Sequence, residues 1–405
     1  MPPVKGGSIA IWIHEIARRL AGSCEVVVYT RTAPFQKKVE NEEGVHYRRF
    51  STAADERLLG LLEPFSRFYK PQRPLFGSRW YYPAFARQVA RDLRRQLCDI
   101  IHLHNLSNFV PVIRAYNPRA RIVLHMHCEW LTQLDRTVIE PRLREVDLVL
   151  GCSEYITEKI RRGFPELADR CQTVFNGVDV PRFSANHSNG ATRPAGEKRL
   201  LFVGRITPEK GLHVLLEALE KVLEREPHVR LEIVGPESLT AKPFLVGCSE
   251  DARVAALESF YEGSYLTRLR EQAAARGLDG HISFTGFVPH ARLPEHYHAA
   301  DLLVNPSFSE SFGMSLIEAM AGELPVVATR VGGMTGIVEQ GKTGFLVEPG
   351  DAAALADAIL RILSDNHLRE EMKKAARERA VRLFSWDGVA ESLLARYKEL
   401  RLAHA

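Results

Sequence analysis

The sequence predicts an α/β fold of two doubly wound, parallel-sheet domains in tandem, and three features of the 405-residue chain predict it. Short runs rich in Val, Ile and Leu alternate with helical stretches from one end to the other. The runs are continuously apolar, as strands covered on both faces are. The pattern is interrupted once, by the polar stretch SANHSNGATRPAGEKR, and then begins again.

In the first half the strand runs are EVVVYT (25 to 30), DIIHLHN (99 to 105), RIVLHMH (121 to 127) and DLVLGCS (147 to 153). The second half supplies RLLFVGRI (199 to 206), VRLEIVG (229 to 235), HISFTGF (281 to 287), DLLVNPS (301 to 307), PVVATR (325 to 330) and GFLVEP (344 to 349). The expected organisation is a domain over 1–183, a linker over 184–198, a second domain over 199–383 and a closing helix over 384–405. Open parallel sheets bind ligands beyond their strand carboxyl ends, so function is expected in the cleft between the two domains.

Composition excludes several classes. With 45% apolar and 26% charged residues the chain is neither disordered nor fibrous. Lys and Arg number 54 against 50 acidic residues, a net charge of +4 that is too small and dispersed to imply nucleic acid. The six cysteines, Cys24, Cys98, Cys128, Cys152, Cys171 and Cys248, form no C-x-x-C pair and stand apart from any zinc-finger His spacing, the usage of a reducing cytosol. No apolar run approaches about 18 residues, and MPPVKGG is not a secretion signal. The expected location is cytoplasmic.

Residues 57 to 95 break the rhythm. Arg57, Arg67, Lys70, Arg73, Arg79, Arg87, Arg91, Arg94 and Arg95 are interleaved with Phe65, Phe68, Tyr69, Phe76, Trp80, Tyr81, Tyr82 and Phe85, against only Glu63 and Asp92. One reading is a surface for an anionic or lipid-linked acceptor, with peripheral contact to the inner membrane. The other is an aromatic core beneath a solvated basic face.

The most specific motif is NPSFSESFGMSLIEAMAGELPVVATRVGG (305 to 333). Glu310 and Glu318 flank a strand-to-helix turn in which Ser311, Phe312 and Gly313 let backbone approach a ligand, and the first-turn amides of Met314 and Ser315 precede any intrahelical partner. That is an anion site. The eight-residue separation puts the carboxylates on the order of 10 Å apart, whereas a pair acting on one glycosidic bond stands roughly 5 to 9.5 Å apart. The pair therefore suits opposite ends of one extended ligand: sugar hydroxyls at Glu310, diphosphate at the loop amides, ribose at Glu318. Either glutamate taken alone reads better as part of a solvated helix face; it is the complete string that points to a ligand. A second element, FVGRITPEKGLHVLLEAL (202 to 219), combines a strand, a glycine turn and a helix expected to start at Thr207 with Pro208 in first position. Arg205 and Lys210 flank that turn and suit a diphosphate leaving group. His127 follows a buried strand and lies nearer its carboxyl end than His125, which points the same way. Its other reading is a hydrogen-bonded structural histidine.

Gly204, Arg205, Lys210 and Gly211, then Glu310-x7-Glu318, then Gly332-Gly333 and GKTGFLVEPGD resemble the retaining GT-B glycosyltransferases of family 4, and PPVKGGSIAIWIHEIARRL resembles their spore-coat SA-type bacterial branch. The resemblance implies two Rossmann-like domains facing across a cleft, with acceptor bound mainly by the N-terminal domain and nucleotide-diphosphate sugar mainly by the C-terminal one. It implies that Arg205 and Lys210 contact the diphosphate, Glu318 the ribose and Glu310 the transferred sugar, with Gly6 and Gly7 as a glycine loop toward the phosphates and His127, or its rival His125, near the reacting sugar. It also implies hexosyl transfer to an acceptor hydroxyl with retention of configuration, by front-face attack in which the departing phosphate takes the acceptor proton. No cofactor and no metal are expected beyond the donor, a UDP- or GDP-sugar. The expected acceptor is a saccharide or lipid-linked molecule, and the expected setting is cell-envelope, spore-coat or glycoconjugate synthesis.

The chain departs from that family in two places. Pro2 and Pro3 follow Met1 where a buried strand usually opens the chain, and Gly336 stands where the family commonly has glutamate. Gly336-x4-Gly341-Lys342-Thr343 matches a P-loop formally, but helix-like residues precede it and strand-like residues follow, the reverse of the order a phosphate cradle needs. Two other readings remain at this point: a non-catalytic coat-associated protein with a residual donor pocket, and a nucleotide-sugar epimerase.

Overall fold

The computed structural model describes residues 7–184, 194, 196–238 and 246–402. They divide into two units, the first from the described part of Met1–Phe175 together with Trp386–Ala405, the second from Asn176–Ser385. The chain therefore changes unit at Asn176, eight residues before the start of the expected linker, most of which lies outside the described residues. The early change has a packing cause. Val178 donates its N–H to Phe384 O at 2.7 Å, and Phe183 is fully buried against the rings of His290 and Tyr297, all within the second unit.

In the first unit β4 (Ile100–His104), β5 (Arg121–Met126), β6 (Leu148–Gly151) and β7 (Cys171–Thr173) form a parallel four-stranded sheet in that order. A separate three-stranded sheet has the order β1-β3-β2. In it β1 (Val26–Arg31) runs parallel to β3 (Val45–Phe50), while β2 (Val39–Glu42) pairs antiparallel with β3. The sequence reading expected only parallel strands here. The hairpin is closed by Glu43 and Gly44, both at positive φ (50° and 80°), as a two-residue turn matching the strand twist requires. Its signal was present in VHYRRF, whose residues alternate between buried and half-buried. The helix Trp386–Leu402 returns to the first unit, where Trp386, Val389 and Leu393 pack against Trp12, Ile16 and Leu20 of the helix Ser8–Leu20.

The second unit holds six parallel strands in the order β10-β9-β8-β11-β12-β13. They are β8 (Lys198–Val203), β9 (Val229–Val234), β10 (Ile282–Gly286), β11 (Leu302–Asn305), β12 (Val326–Thr329) and β13 (Gly344–Val347). All six fall on predicted runs. Strand order reverses between β8 and β11, so the loops leaving these two strands diverge around the crevice where such sheets take ligands. The P-loop-like string is structural: a short helix, Met334–Ile337, precedes it and β13 follows. Thr343 is buried, its hydroxyl accepting the Glu339 N–H at 2.9 Å, and Lys342 pairs with Glu339 at the surface.

In the second unit His213 is buried at the start of the helix Leu212–Leu223. Its ring lies between Phe260 (centroids 4.5 Å) and Phe308 (5.6 Å), with Nδ1 sharing a 2.7 Å hydrogen bond with the Tyr265 hydroxyl. Burial pulls its pKa from 6.5 down to about 4, so the folded protein holds it neutral. A depressed histidine pKa contributes stability that is complete above the unfolded value and lost as pH falls from 6.5 toward 4. The stability advantage of the wild type over His213→Gln, measured by denaturant unfolding, is therefore expected to shrink by about 2 kcal/mol between pH 7 and pH 5. An advantage constant over that interval would show that His213 does not titrate on unfolding.

Candidate functional site

The site is built from two loops. The first leaves β8 at Gly204, whose N–H donates to Val234 O at 2.9 Å, and the neighbouring turn at Gly235 sits at φ +145 with space for no Cβ: one there would lie 1.8 Å from Gly204 O. Thr207 does not start the long helix, contrary to expectation. It precedes a single 3-10 turn, Pro208–Lys210, and makes no side-chain cap. Gly211 then takes φ +68, a left-handed conformation that ends the turn before the helix proper begins at Leu212. Within this turn Glu209 is buried. Its carboxylate accepts from the Tyr261 hydroxyl at 2.8 Å and meets Arg205 Nη2 at 3.4 Å, so a buried acid orients the half-exposed guanidinium.

The second loop leaves β11 and is pinned by its own polar side chains. Asn305 Oδ1 accepts from the Ser307 hydroxyl at 2.6 Å, and Phe308 N–H donates to Glu209 O at 2.7 Å, tying it to the first loop. At Gly211 an added Cβ would lie 2.1 Å from Pro306 O, so the two loops touch backbone to backbone. On the far side Gly332 and Gly333 press on the same loop: their Cβ positions would fall 1.8 Å from Glu310 O and 2.3 Å from Ser311 O, and Gly333 N–H donates to Glu310 O at 3.0 Å. The consequence is that Lys210 and Glu310, distant in sequence, meet at 2.6 Å between Nζ and Oε2, both largely shielded. Gly313, at φ +115, opens the helix Met314–Ala321, whose leading amides project without intrahelical acceptors. Phe312 is buried, and Ser315 is buried with its hydroxyl 3.4 Å from Asn305 Nδ2.

Glu318 does not lie on a solvated helix face. It is 5% exposed, with one carboxylate oxygen accepting from the Tyr297 hydroxyl at 2.6 Å and the other 3.1 Å from His290 Nε2. Burial first and the Glu318 charge second push the Tyr297 pKa well up, which keeps that hydroxyl a donor. His290 and Tyr297 come from the segment after β10 and were missed by the sequence reading.

The first unit places its candidates by themselves. Gly7 precedes the helix Ser8–Leu20 and its carbonyl accepts the Ile11 N–H at 3.0 Å, whereas Gly6 lies outside the described residues. His127 follows β5 and is partly exposed; its backbone N–H donates to Asn105 Oδ1 at 2.7 Å, and its ring Nε2 lies 3.0 Å from His104 Nδ1. His125 is completely buried and unreachable by a substrate, which separates it from His127. Burial, as the first cause, pulls His102 down to about 3 and holds His104 and His125 well below the ordinary range. Residues 57 to 95 divide between core and surface. Phe76 is buried against Trp130, while Leu61, Phe65, Phe68 and Trp80 are exposed, Trp80 beneath the Arg79 guanidinium.

Known proteins place this geometry. Residues 7–182 match the model of Glycosyltransferase Family 4, and residues 184–379 that of Glycosyl transferases group 1. The chain is 26% identical to spore coat protein SA of Bacillus subtilis (strain 168), covering 99% of this chain and 97% of that protein. It is 33% identical to D-inositol 3-phosphate glycosyltransferase of Corynebacterium glutamicum (strain R), covering 97% and 92%. Among solved structures, sucrose-phosphate synthase from Thermosynechococcus elongatus superimposes with a TM-score of 0.72 at 24% identity, covering 98% of this chain and 94% of that one. Anabaena Alr3699/HepE in complex with UDP-glucose superimposes with a TM-score of 0.69 at 20% identity, covering 98% and 97%. The chain belongs to glycosyltransferase family 4, with two Rossmann-like domains of the GT-B fold.

Proposed function

We propose that this glycosyltransferase moves a hexosyl group from a UDP- or GDP-sugar to an acceptor hydroxyl with retention of configuration. The observation that carries the reading is the Lys210 to Glu310 contact at 2.6 Å, just ahead of the helix that begins at Met314 and bears the buried Glu318. A cation, a row of leading amides and two separate carboxylates on one short stretch match the chemical order of a nucleotide-sugar: hydroxyls, diphosphate, ribose.

In this reading Arg205 and Lys210 neutralise the charge that grows on the diphosphate as its bond to the anomeric carbon breaks, and the amides of Met314 and Ser315 share that task. Glu310 accepts from a hydroxyl of the transferred sugar. Glu318, already fixed by Tyr297 and His290, accepts from the ribose. His127 contacts the reacting sugar, and the departing phosphate oxygen takes the acceptor proton, so no protein nucleophile is required. In this reading Gly7 also belongs to a glycine loop serving the phosphates. The protein acts in the cytoplasm without a metal in its transfer step, building an envelope, spore-coat or other glycoconjugate. Among the described residues no helix is long and apolar enough to cross a membrane.

The deciding experiment is thermal denaturation with UDP-, GDP-, ADP- and TDP-sugars, followed by product mass with saccharide and lipid-linked acceptors. One nucleotide class is expected to raise the melting temperature, and an acceptor to gain one hexose. A product formed without acceptor would identify an epimerase, and binding without any product a non-catalytic protein. Lys210→Ala and Arg205→Ala are each expected to lower kcat by about 10²- to 10³-fold, as loss of one transition-state donor does. Glu318→Ala is expected to weaken free nucleotide by at least about tenfold, measured by calorimetry. Unchanged nucleotide affinity would remove Glu318 from the ribose.

Leu61, Phe65 and Phe68, exposed beside Arg57 and Lys70, support peripheral membrane contact as the route to a lipid-linked acceptor. The wild type is expected to sediment with phosphatidylglycerol vesicles and less so in high salt. The triple variant Leu61→Ser, Phe65→Ser, Phe68→Ser is expected to lose at least about tenfold in partitioning. Equal sedimentation of the two would leave the basic, aromatic segment as core and solvated surface only.

A further inference from the structure

Three histidines of the first unit share one face of its parallel sheet. His102 and His104 stand two apart on β4 and so project to the same side, and His104 pairs in register with His125 on β5. One ring nitrogen from each lies within 4.8 Å of the others. His125 is fully buried, with the Val174 backbone as a hydrogen-bonding neighbour but no well-formed bond at either ring nitrogen; His102 Nε2 is buried without a partner. Leaving a buried imidazole nitrogen unsatisfied costs the fold, and three such atoms in one place ask what satisfies them.

The surroundings are those of ligands already oriented. His102 Nδ1 shares a 2.5 Å hydrogen bond with the Tyr397 hydroxyl, and His104 Nδ1 lies 3.0 Å from His127 Nε2. The rings of His102 and His104 thus each have Nδ1 engaged by a neighbour and Nε2 left over, as in metal sites where the outer hydrogen bond fixes the tautomer. Trp12 meets His102, His104 and His125 edge-on at 5.4, 5.0 and 4.9 Å between centroids and closes the apolar side, while His102 and His104 keep partial exposure for entry. Zinc bonds to imidazole of about 2.0 to 2.1 Å put tetrahedral ligand nitrogens roughly 3.3 Å apart. The present nitrogens lie within 4.8 Å of one another, so an ion held by all three draws them closer together.

We propose that His102, His104 and His125 form a site for one late transition-metal dication of the zinc class, distinct from the nucleotide-sugar residues of the second unit. Three imidazoles with no carboxylate select zinc, cobalt, nickel or copper over magnesium or calcium, and three protein ligands leave the fourth position to water. A metal on His104 Nε2 forces the ring proton onto Nδ1, which then donates to His127 Nε2. The site therefore sets the tautomer of the residue beside it, whatever that residue does in transfer.

The test is a cobalt titration of the full chain after chelator treatment. One equivalent of Co(II) is expected to bind with the intense visible bands of a tetrahedral nitrogen-ligated ion, and zinc, but not magnesium, is expected to displace it. His102→Gln and His125→Leu are each expected to weaken binding by more than about 100-fold, with the exposed His367→Ala unchanged. His102 is less buried than His125, so His102→Gln decides the matter should His125→Leu fail to fold, as judged by circular dichroism. Absence of stoichiometric bands in the wild type, or bands that survive in a folded His102→Gln variant, would overturn the site.

Discussion

The second unit depends on contacts between backbones that only absent side chains permit. The loop carrying Glu310 is held between two turns, Gly211 against Pro306 O on one side and Gly332 with Gly333 against the Glu310 and Ser311 carbonyls on the other. A single methyl at Gly332 would fall 1.8 Å from a carbonyl oxygen, so either the turn or the loop would have to withdraw. Such a shift matters because a charged group misplaced by about 1 Å can forfeit two orders of magnitude in rate. The glycines thus carry no chemistry of their own. They set the separation at which Lys210 and Glu310 meet.

Every charge in that site is already answered. Lys210 has Glu310, Arg205 has the buried Glu209, and Glu318 has Tyr297 and His290. A site with unmet cations would hold any phosphate that diffused in. Here an anion must draw Lys210 from a carboxylate, and in the proposed reading the sugar hydroxyls on Glu310 help it do so. Discrimination then rests on the pairing of diphosphate with sugar rather than on charge alone. The Glu209 carboxylate works differently, because it is buried and shared between Tyr261 and Arg205, and so fixes a direction for the guanidinium.

What the sequence disclosed followed the range of the signal. All six strands of the second sheet were legible because continuous apolar runs are local, and Glu310-x7-Glu318 was legible because strand, turn and helix are consecutive. The helix start at Thr207 was misread, since Thr-Pro suits both an α-helix and a 3-10 turn and the choice fell to Gly211, whose left-handed φ answers to Pro306 nearly a hundred residues on. His290 and Tyr297 gave no signal, because a histidine and a tyrosine after a strand acquire meaning only once the fold brings Glu318 to them. The β2-β3 hairpin was missed for a different reason. Its alternation and its Glu-Gly turn are both present in the sequence, but neither VENE nor VHYRRF is a continuously apolar run.

The first unit is where local pattern and three-dimensional outcome diverge. DIIHLHN and RIVLHMH read as two separate strands, yet pairing β4 with β5 in register gathers the rings of His102, His104, His125 and His127 around Trp12. A hydrophobic face of the same size would be more stable, since aliphatic side chains leave no nitrogen to satisfy. In the second unit the buried acids Glu209 and Glu318 are matched within the fold, as stability alone would require. At His125 neither ring nitrogen makes a well-formed hydrogen bond. A chain that places four imidazoles on one buried face accepts that destabilisation, and an electron-pair acceptor such as a metal ion is the kind of ligand that removes it.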